Sequence, residues 1–421
     1  MFRDTVGTEI MLIEKIDVSN IAHFIKAKDT VPIVQDFTEY FSKFNLKNVL
    51  VVIDEDIETD IRVLHQITAL QRITQNITVL KVIPDGSYTD NQKKSIIKEL
   101  YLNSLKNILH FPWFFLLTMI HHPFLAVRNK AKQGVYNDHS YLLSEKVDTS
   151  AYTCVICNNL ISASSVDFHD KVDYIYDIHE LEVFRNRNKA SMQRAFYIYL
   201  KEMKELKRKK NIITISKYIA NTLSKMYGYK NVDIDCIYNR NFSRLITLPY
   251  EITRKEKNKY LLIYVGSVSL DRGLKDIVRL SLEYDILVIA CNYKEEALRY
   301  LEDNCSHNRL EIFKGMNYQE ILLESIQQYQ YSFFLILINP NHPSYRYALP
   351  NKFFQAQAVG CPIIVYDKTY LANIVSNFSC GLIFTNITNI KFLYSVTNED
   401  YLSMKRSLAT NVEKAIENKD L

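Results

Sequence analysis

The sequence has no apolar run long enough to cross a lipid bilayer, for which about 20 consecutive apolar residues are needed. The best candidate is FPWFFLLTMI at residues 111–120, which is about half that length. Residues 1–14 mix charged and apolar side chains, so we expect no signal peptide. The chain also has no low-complexity tract and no repeat of fixed period, so a repeat architecture is not expected.

The chain also has no large excess of positive or negative charge. The 52 lysine and arginine residues and the 47 acidic residues leave a net charge of +5, without a long basic arm or tail. The composition therefore predicts no nucleic-acid partner, while it is compatible with small anionic ligands and with anionic membrane surfaces.

The seven cysteines lie mostly in apolar, strand-like runs. We expect reduced thiols inside a protein core, and hence a reducing compartment such as the cytoplasm. In CVIC, residues 154–157, the two thiols would point to opposite faces of a strand, which argues against a metal or redox pair.

A basic segment at residues 121–132 follows the apolar residues 111–120. The aromatic residues Trp113, Phe114 and Phe115, with the basic residues after them, are typical of a segment that lies on the inner face of a membrane. A buried helix is the alternative interpretation.

The length of 421 residues and the hydrophobic content of 48% allow two sizeable cores. In both halves, short β-branched runs alternate with segments of helical periodicity. Strands are predicted at residues 48–54, 76–82, 153–157, 172–178, 211–216 and 233–239, and again from 260–266 onward, with helices at 61–71 and 270–283. The alternation predicts two Rossmann-like, doubly wound α/β domains that face each other across a cleft, with ligands at the carboxyl ends of the strands.

The segment PNKFFQAQAVGCP, residues 350–362, predicts a helix that begins after a proline and ends at a glycine. The unpaired N–H groups at such a helix start favour an anion, and Lys352 adds a full positive charge beside Asn351. Gly266 and Ser267 follow a predicted strand, and Arg272 lies near the start of the next helix. Together these residues predict a diphosphate site whose charges would stabilise a departing diphosphate.

Other polar residues are candidates for the rest of a ligand. Gln355 lies one helical turn after Lys352, where it could hydrogen-bond a ribose. In YDIHELE, residues 176–182, His179 and Glu180 follow a strand and could contact sugar hydroxyls. Asn158 and Asn239 end strands of the same half and are assigned to the acceptor side of the cleft. The alternatives are a plain turn at Gly266, a surface arginine and a structural histidine.

The strings YVGSVSLDRGL (residues 264–274), SYRYALPNKFFQAQAVGCPII (344–364) and CGLIF (380–384) resemble the donor-binding domain of GT-B fold glycosyltransferases, in particular retaining family 4. In the first half, DIRVLHQITAL, YDIHELE, ITISKYIA and IYN resemble signatures of that family in the same order. The resemblance extends from about residue 48 to the C-terminus.

The resemblance implies a domain organisation. Residues 1–45 form an extension, 46–245 an acceptor-side domain and 255–398 a nucleotide-sugar-binding domain, with a non-periodic linker at 242–259. Residues 399–421 form a helix that crosses back onto the first domain.

The resemblance also implies transfer of a sugar from a nucleotide-sugar to an acceptor, without a metal or other cofactor. It assigns Gly266, Arg272 and Lys352 to the donor phosphates and His179 to the donor sugar. Where many members have two glutamates, this chain has Tyr347 and Gln355. A neutral amide in place of the second carboxylate gives up a charge-assisted pair of hydrogen bonds to the ribose, about 1–2 kcal/mol.

The resemblance thus predicts a retaining glycosyltransferase that extends a bacterial surface glycan, such as a capsule, O-antigen or other lipopolysaccharide. Its partners would be a nucleotide-sugar, a glycan or lipid-linked acceptor and an anionic membrane surface. The alternatives are a nucleotide-sugar epimerase of the same fold, or a non-catalytic partner that binds a nucleotide-sugar or glycan for another transferase.

Overall fold

The computed structural model describes most of the chain. The described residues are 12–16, 31–54, 57, 60–83, 146–184, 192–208, 211–227, 234–240, 259–269, 272–315, 318–338, 340, 346–385, 391–418 and 421. The predicted membrane-surface segment at residues 111–132 and the predicted linker at residues 242–258 lie outside them, so both stay predictions.

The described residues divide into two compact units. Unit 1 lies within Met1–Lys28, Val34–Ile215 and Ile219–Ile237, and unit 2 within Asp29–Ile33, Ser216–Tyr218 and Tyr238–Leu421.

Unit 1 is built on a mostly parallel sheet. Its strands are β1 (Leu12–Ile16), β2 (Val49–Ile53), β3 (Ile77–Ile83), β4 (Cys154–Asn158), β5 (Asp173–Ile178), β6 (Asn211–Thr214) and β7 (Ile234–Cys236). They follow the order β1-β3-β2-β4-β5-β6-β7, with β1 antiparallel to β3 and the other neighbours parallel. Every residue of β2 and β4 is buried, as expected for strands that are covered on both faces.

The helices of this half follow the same alternation. They are α1 (Pro32–Phe41), α2 (Ile61–Gln71), α3 (Asn159–Ser164), α4 (Met192–Arg208) and α5 (Lys217–Tyr227), with a 3₁₀ turn at Glu182–Phe184. The helix predicted at residues 61–71 is confirmed. It begins there because the Asp60 carboxylate accepts hydrogen bonds from the N–H groups of Arg62 and Val63, which would otherwise have no partner.

Unit 2 contains a second sheet, and all of its strands are parallel. The strands are β8 (Tyr260–Val268), β9 (Asp285–Tyr293), β10 (Leu310–Lys314), β11 (Tyr331–Ile336), β12 (Ile363–Tyr366) and β13 (Gly381–Phe384). Their order is β10-β9-β8-β11-β12-β13, so the direction of winding reverses between β8 and β11. In sheets of this kind ligands bind beyond the carboxyl ends of the strands at the reversal.

Seven helices accompany this sheet in the described part of the chain. They are α6 (Leu274–Leu280), α7 (Glu295–Asn304), α8 (Gln319–Gln327), α9 (Asn351–Ala358), α10 (Tyr370–Phe378), α11 (Asn398–Ser407) and α12 (Glu413–Glu417), with a π-helical turn at Leu408–Val412 between the last two. The helix predicted for PNKFFQAQAVGCP is confirmed as α9. Pro350 is its N-cap, and Gly360 adopts a left-handed conformation with φ +62° just after it ends.

These elements confirm two doubly wound α/β domains, each with its own sheet. All seven cysteines are free thiols and all but Cys291 are buried, as predicted for core residues.

Several predicted boundaries differ from the structure, and two of them lie at the start of unit 2. The strand predicted to end at Gly266 continues to Val268, because a β-bulge between Gly266 and Ser267 lets the pairing with β9 resume after a shift of register. The helix predicted at residues 270–283 begins only at Leu274, because Gly273 adopts a left-handed conformation with φ +75° at the N-cap. Arg272 therefore precedes the helix rather than lying in its first turn.

The ends of the chain contribute to both units. Residues 12–16, within the predicted extension, supply the antiparallel edge strand of unit 1. The last helices, α11 and α12, belong to unit 2, and the packing of residues 399–421 onto the first domain stays a prediction.

Gly381 in β13 allows a close approach of backbone. A Cβ atom there would lie 2.0 Å from the carbonyl oxygen of Ile363 on β12, whereas a Cβ atom on Gly360 would meet nothing within 4 Å.

We expect Gly381→Ala to lower the free energy of unfolding by about 3 kcal/mol because the strands must separate. Gly360→Ala should cost only about 1 kcal/mol, for its left-handed backbone. Urea unfolding measures both, and equal losses would contradict the packing argument.

Candidate functional site

The β-bulge in β8 creates a gap in the side-chain layer of unit 2. Gly266 has φ +123°, a conformation that residues with side chains rarely adopt. A Cβ atom on Gly266 would lie 3.0 Å from Cε and 3.6 Å from Nζ of Lys352. The glycine therefore leaves the space that the Lys352 side chain occupies.

The ammonium group of Lys352 lies over an aromatic ring. Its Nζ is 3.7 Å from the ring centroid of Tyr264, which is in cation–π contact distance. The Tyr264 hydroxyl in turn donates a hydrogen bond to the Ser267 carbonyl oxygen across the bulge, at 2.8 Å. The predicted residues Gly266, Ser267 and Lys352 are thus brought together at the carboxyl end of β8.

The charge of Lys352 is held in an unfavourable environment. Burial, and to a lesser extent the neighbouring Arg272 guanidinium, lower the pKa of Lys352 to about 7, although the Cys291 thiol partly opposes them. No carboxylate among the described residues contributes to this pKa. An anionic ligand would restore the charged form of Lys352, and the neighbouring Arg272 guanidinium is suited to bind the same anion.

The start of α9 adds backbone donors at the same place. Its N-cap, Pro350, makes no side-chain hydrogen bond to the first turn, so the N–H groups of Asn351 and Lys352 are not capped by that residue. A helix start with free N–H groups and a positive dipole binds phosphate oxygens, and Lys352 supplies the full charge. Arg272, Asn351 and Lys352 therefore offer a combined site for an anion.

Two further predicted donor residues have defined partners. Gln355 Nε2 donates a hydrogen bond to the Tyr318 hydroxyl at 2.6 Å, while Gln355 Oε1 is buried and has no partner among the described residues.

The Tyr347 ring stacks on Tyr218 at 5.4 Å between centroids, and Tyr218 also contacts Tyr370 at 4.5 Å. Tyr347 thus belongs to an aromatic stack of unit 2.

In unit 1, His179 follows β5 and has a polar partner near each ring nitrogen. Nδ1 lies 3.5 Å from Oδ2 of Asp60, and Nε2 lies 3.4 Å from Oδ2 of Asp177 and 3.2 Å from Oδ1 of Asn158. Burial alone would lower the pKa of His179, but Asp60 and Asp177 outweigh it and the pKa is raised. The geometry favours an imidazolium held by two carboxylates.

Asp177 is the centre of this network. It is fully buried, and Arg62 binds both of its carboxylate oxygens, at 2.8 and 2.9 Å, while Gln66 Nε2 donates a further hydrogen bond to it. Burial alone would raise the pKa of Asp177, but Arg62 and His179 lower it, so the carboxylate stays ionised. Arg62 also donates to the Ile237 carbonyl oxygen at 2.8 Å.

The three predicted acceptor residues occupy different elements, and their role stays a prediction. Asn158 is buried, with its amide between His179 and the Val52 carbonyl oxygen. Glu180 is part-buried, two residues after the end of β5. Asn239 is buried and belongs to unit 2 rather than to unit 1.

The sequence analysis missed several residues of both sites. The sequence does indicate Asp177, because residues 177 and 179 are two apart at the end of a strand and so lie on the same face. Arg62 and Gln66 are one turn apart on α2, which only the fold brings to Asp177. No signal identifies Tyr318 or Cys291, whose positions depend on packing in unit 2.

Two wider features of the described residues bear on function. Within them, no group of three or more histidine, cysteine, aspartate or glutamate side chains is placed to hold a metal ion. None of their helices is both long enough and apolar enough to cross a membrane.

No protein-family model matches the sequence, and comparison with curated proteins finds no match. Among solved structures, the chain is similar to several glycosyltransferases. A glycosyltransferase from Rickettsia africae ESF-5 has 10% identity and a TM-score of 0.46 over 89% of this chain and 98% of that one. Anabaena Alr3699/HepE in complex with UDP has 11% identity and a TM-score of 0.43 over 64% of this chain and 79% of that one.

WaaG, a glycosyltransferase involved in lipopolysaccharide biosynthesis, has 14% identity and a TM-score of 0.40 over 59% of this chain and 74% of that one. The match to TarM spans only 55% of the TarM chain. Since the TM-scores are below 0.5, the similarity decides neither the substrate nor the reaction of this chain.

We expect Arg62→Met to lower the free energy of unfolding by about 3–5 kcal/mol, because it leaves the buried Asp177 carboxylate without its bidentate partner. Arg72→Met is the control, since Arg72 is exposed just after the same helix, and it should change stability by less than about 0.5 kcal/mol. Chemical denaturation measures both. Similar values for the two variants would show that the network does not stabilise unit 1.

The low pKa of Lys352 predicts pH-dependent binding of a diphosphate diester such as a nucleotide-sugar, whose phosphates do not titrate near neutrality. An anion raises the pKa of Lys352, so above pH 7 binding must take up a proton. Affinity should therefore fall by up to about tenfold per pH unit above pH 7.

Calorimetry in buffers of different ionisation enthalpy measures this proton uptake directly. Lys352→Met should bind more weakly at pH 6.5 and lose the pH dependence, whereas Lys294→Met, at an exposed lysine, should behave as the wild type. A flat pH profile in the wild type would contradict the assignment of Lys352 to the anion site.

Proposed function

We propose that this chain is a glycosyltransferase that moves a sugar from a nucleotide-sugar to an acceptor glycan or lipid-linked glycan. The observation that carries the proposal is the cationic site of unit 2. Lys352, with its pKa of about 7 and Arg272 as neighbour, lies at a helix start and against the glycine of a β-bulge. This combination is suited to the diphosphate of a nucleotide-sugar.

The same charges suit the chemistry of sugar transfer. When the bond between the anomeric carbon and the diphosphate breaks, the bonding electrons and hence negative charge move to the departing phosphate oxygen. Lys352 and Arg272 would stabilise that growing charge more than they stabilise the bound donor, which lowers the barrier. The part-buried ammonium is most effective because little water screens it.

The finer parts of the proposal come from the sequence motifs. Retention of anomeric configuration, transfer without a metal and the proximity of His179 to the donor sugar follow from the resemblance to family 4. The proposed acceptors are surface glycans of bacteria, such as capsule, O-antigen or lipopolysaccharide. The proposed location is the cytoplasm at the inner face of the membrane, for which residues 111–132 give the support.

The second candidate is a non-catalytic protein that binds a nucleotide-sugar for another transferase. One observation favours it. Both ring nitrogens of His179 already face acceptors of unit 1, so the imidazole has no ring nitrogen left for a sugar hydroxyl in this arrangement. Turnover separates the two candidates.

The test begins with a thermal-shift screen of UDP-, GDP- and CMP-sugars. The best donor is then incubated with lipid-linked and oligosaccharide acceptors, and released nucleotide is measured. We expect turnover by the wild type and a loss of about 100-fold or more in Arg272→Ala and in Lys352→Ala. Arg299→Ala, at an exposed arginine of α7, should keep full activity.

The remaining parts of the proposal have their own readouts. His179→Ala should lower turnover more than donor affinity, NMR of the product should show the donor's anomeric configuration, and EDTA should leave the rate unchanged. Donor binding without turnover on any acceptor would support the non-catalytic candidate. Absence of nucleotide-sugar binding would overturn both.

A further inference from the structure

Both ring nitrogens of His179 face oxygen atoms. Nδ1 lies 3.5 Å from Oδ2 of Asp60, and Nε2 lies 3.4 Å from Oδ2 of Asp177 and 3.2 Å from Oδ1 of Asn158. The amide of Asn158 is oriented from its other end, because its Nδ2 donates to the Val52 carbonyl oxygen at 3.4 Å. A neutral imidazole would place a lone pair against one of these oxygens, whereas an imidazolium has an N–H group for each side.

The two carboxylates beside this ring have different partners. Asp177 is fully buried and already binds the guanidinium of Arg62 through both of its oxygens. Asp60, in contrast, forms its ion pair with His179, and within the described part of the chain it forms none with another cation. The negative charge of Asp60 is therefore the one that His179 does not share with an arginine.

The electrostatics of the ring agree with this geometry. Burial and the Arg62 guanidinium lower the pKa of His179, but the carboxylates of Asp60 and Asp177 outweigh them and the pKa is raised. These charged groups face the ring from α2, from its N-cap and from β5, while Asn158 at the end of β4 is neutral. Removal of the Asp60 charge should therefore lower the pKa of His179.

The contact between His179 and Asp60 is also the part of the network that solvent reaches. The two side chains are 16% and 15% exposed, whereas the side chain of Asp177 is fully buried. A substrate that reaches the ring would therefore approach it on the side of Asp60.

We propose that Asp60 is a positioning residue that keeps the ring of His179 protonated during sugar transfer, so that His179 is not the base for the acceptor hydroxyl. The inference rests on the proposed function and assigns a role to Asp60 within it. An imidazolium has no lone pair with which to accept a proton, and it keeps its place because each N–H group faces an oxygen.

The test replaces Asp60 by asparagine, which keeps an oxygen for the N–H groups at the start of α2 but removes the charge. The protonation of His179 is followed by NMR of protein labelled with ¹⁵N in its histidine rings, and His179→Gln identifies the resonances. In the wild type, we expect both ring nitrogens to be protonated at pH 7. In Asp60→Asn, the midpoint of the titration should lie at least about one pH unit lower.

Asp148→Asn is the matched control, because Asp148 Oδ1 lies 3.3 Å from Nε2 of another histidine of unit 1, His169, and both side chains are exposed. This variant removes a carboxylate beside a histidine outside the network and should leave the titration of His179 unchanged. If Asp60→Asn does not fold, Asp60→Ser gives the same comparison, since serine also caps helices and carries no charge.

The pH dependence of kcat at saturating donor gives a second measurement. The wild-type kcat should fall at high pH as His179 loses its proton, and in Asp60→Asn this fall should begin about one pH unit lower. The variant should therefore lose up to about tenfold in kcat above its own midpoint and recover most of the wild-type rate below it. A purely structural role of Asp60 would lower kcat equally at every pH.

The outcomes separate this inference from the function on which it rests. A neutral ring at pH 7 in the wild type, or an unchanged His179 titration in Asp60→Asn, would overturn the inference and leave the proposed sugar transfer in place. An equal loss of kcat at every pH would also overturn it. If the titration shifts as expected but no donor and acceptor react, the proposed function falls, and the role of Asp60 in transfer falls with it.

Discussion

The contact between Lys352 and the bulged strand β8 is the constraint on which the arrangement of unit 2 depends. The strand has no side chain at Gly266, and the lysine stem fills the space that a Cβ atom would need. Its ammonium is thereby held over the ring of Tyr264, away from bulk water and close to Arg272. Retaining a proton there is unfavourable until an anion arrives. Lys352 is thus placed by the bulge at Gly266, the ring of Tyr264 and the start of α9. As a result, the protonation of Lys352 is coupled to the binding of an anion.

The two units differ in whether a buried charged side chain is paired with an opposite charge. In unit 1 the carboxylate of Asp177 receives two hydrogen bonds from Arg62, one from Gln66 and the contact of His179, so this buried charge is paired by groups of the same unit. In unit 2, no described carboxylate contributes to the pKa of Lys352. A buried carboxylate that is paired within the fold stabilises it, whereas a lysine whose pKa is lowered by burial regains its charge when an anion binds. Both sheets are doubly wound, and this difference in buried charge lies in a few side chains.

Much of this architecture is predictable from local sequence. Alternating β-branched runs and helical periodicity predict both sheets, and Pro350 and Gly360 predict the limits of α9, because these signals act over a few residues. The bulge at Gly266 is not predictable in this way, since it depends on the register with β9, and so the end of β8 is predicted two residues too early. The cluster around Lys352 follows from motif order. Arg62 of α2 and Tyr318, the N-cap of α8, are the partners of Asp177 and Gln355, and only tertiary packing brings them together.

The two carboxylate oxygens of Asp60 make different contacts. Oδ1 accepts the N–H groups of Arg62 and Val63 at the start of α2, and Oδ2 faces Nδ1 of His179 beyond β5. One carboxylate therefore couples the start of α2 to the charge of His179. A change of Asp60 to an apolar side chain would remove the helix cap and, at the same time, a negative charge that raises the pKa of the histidine.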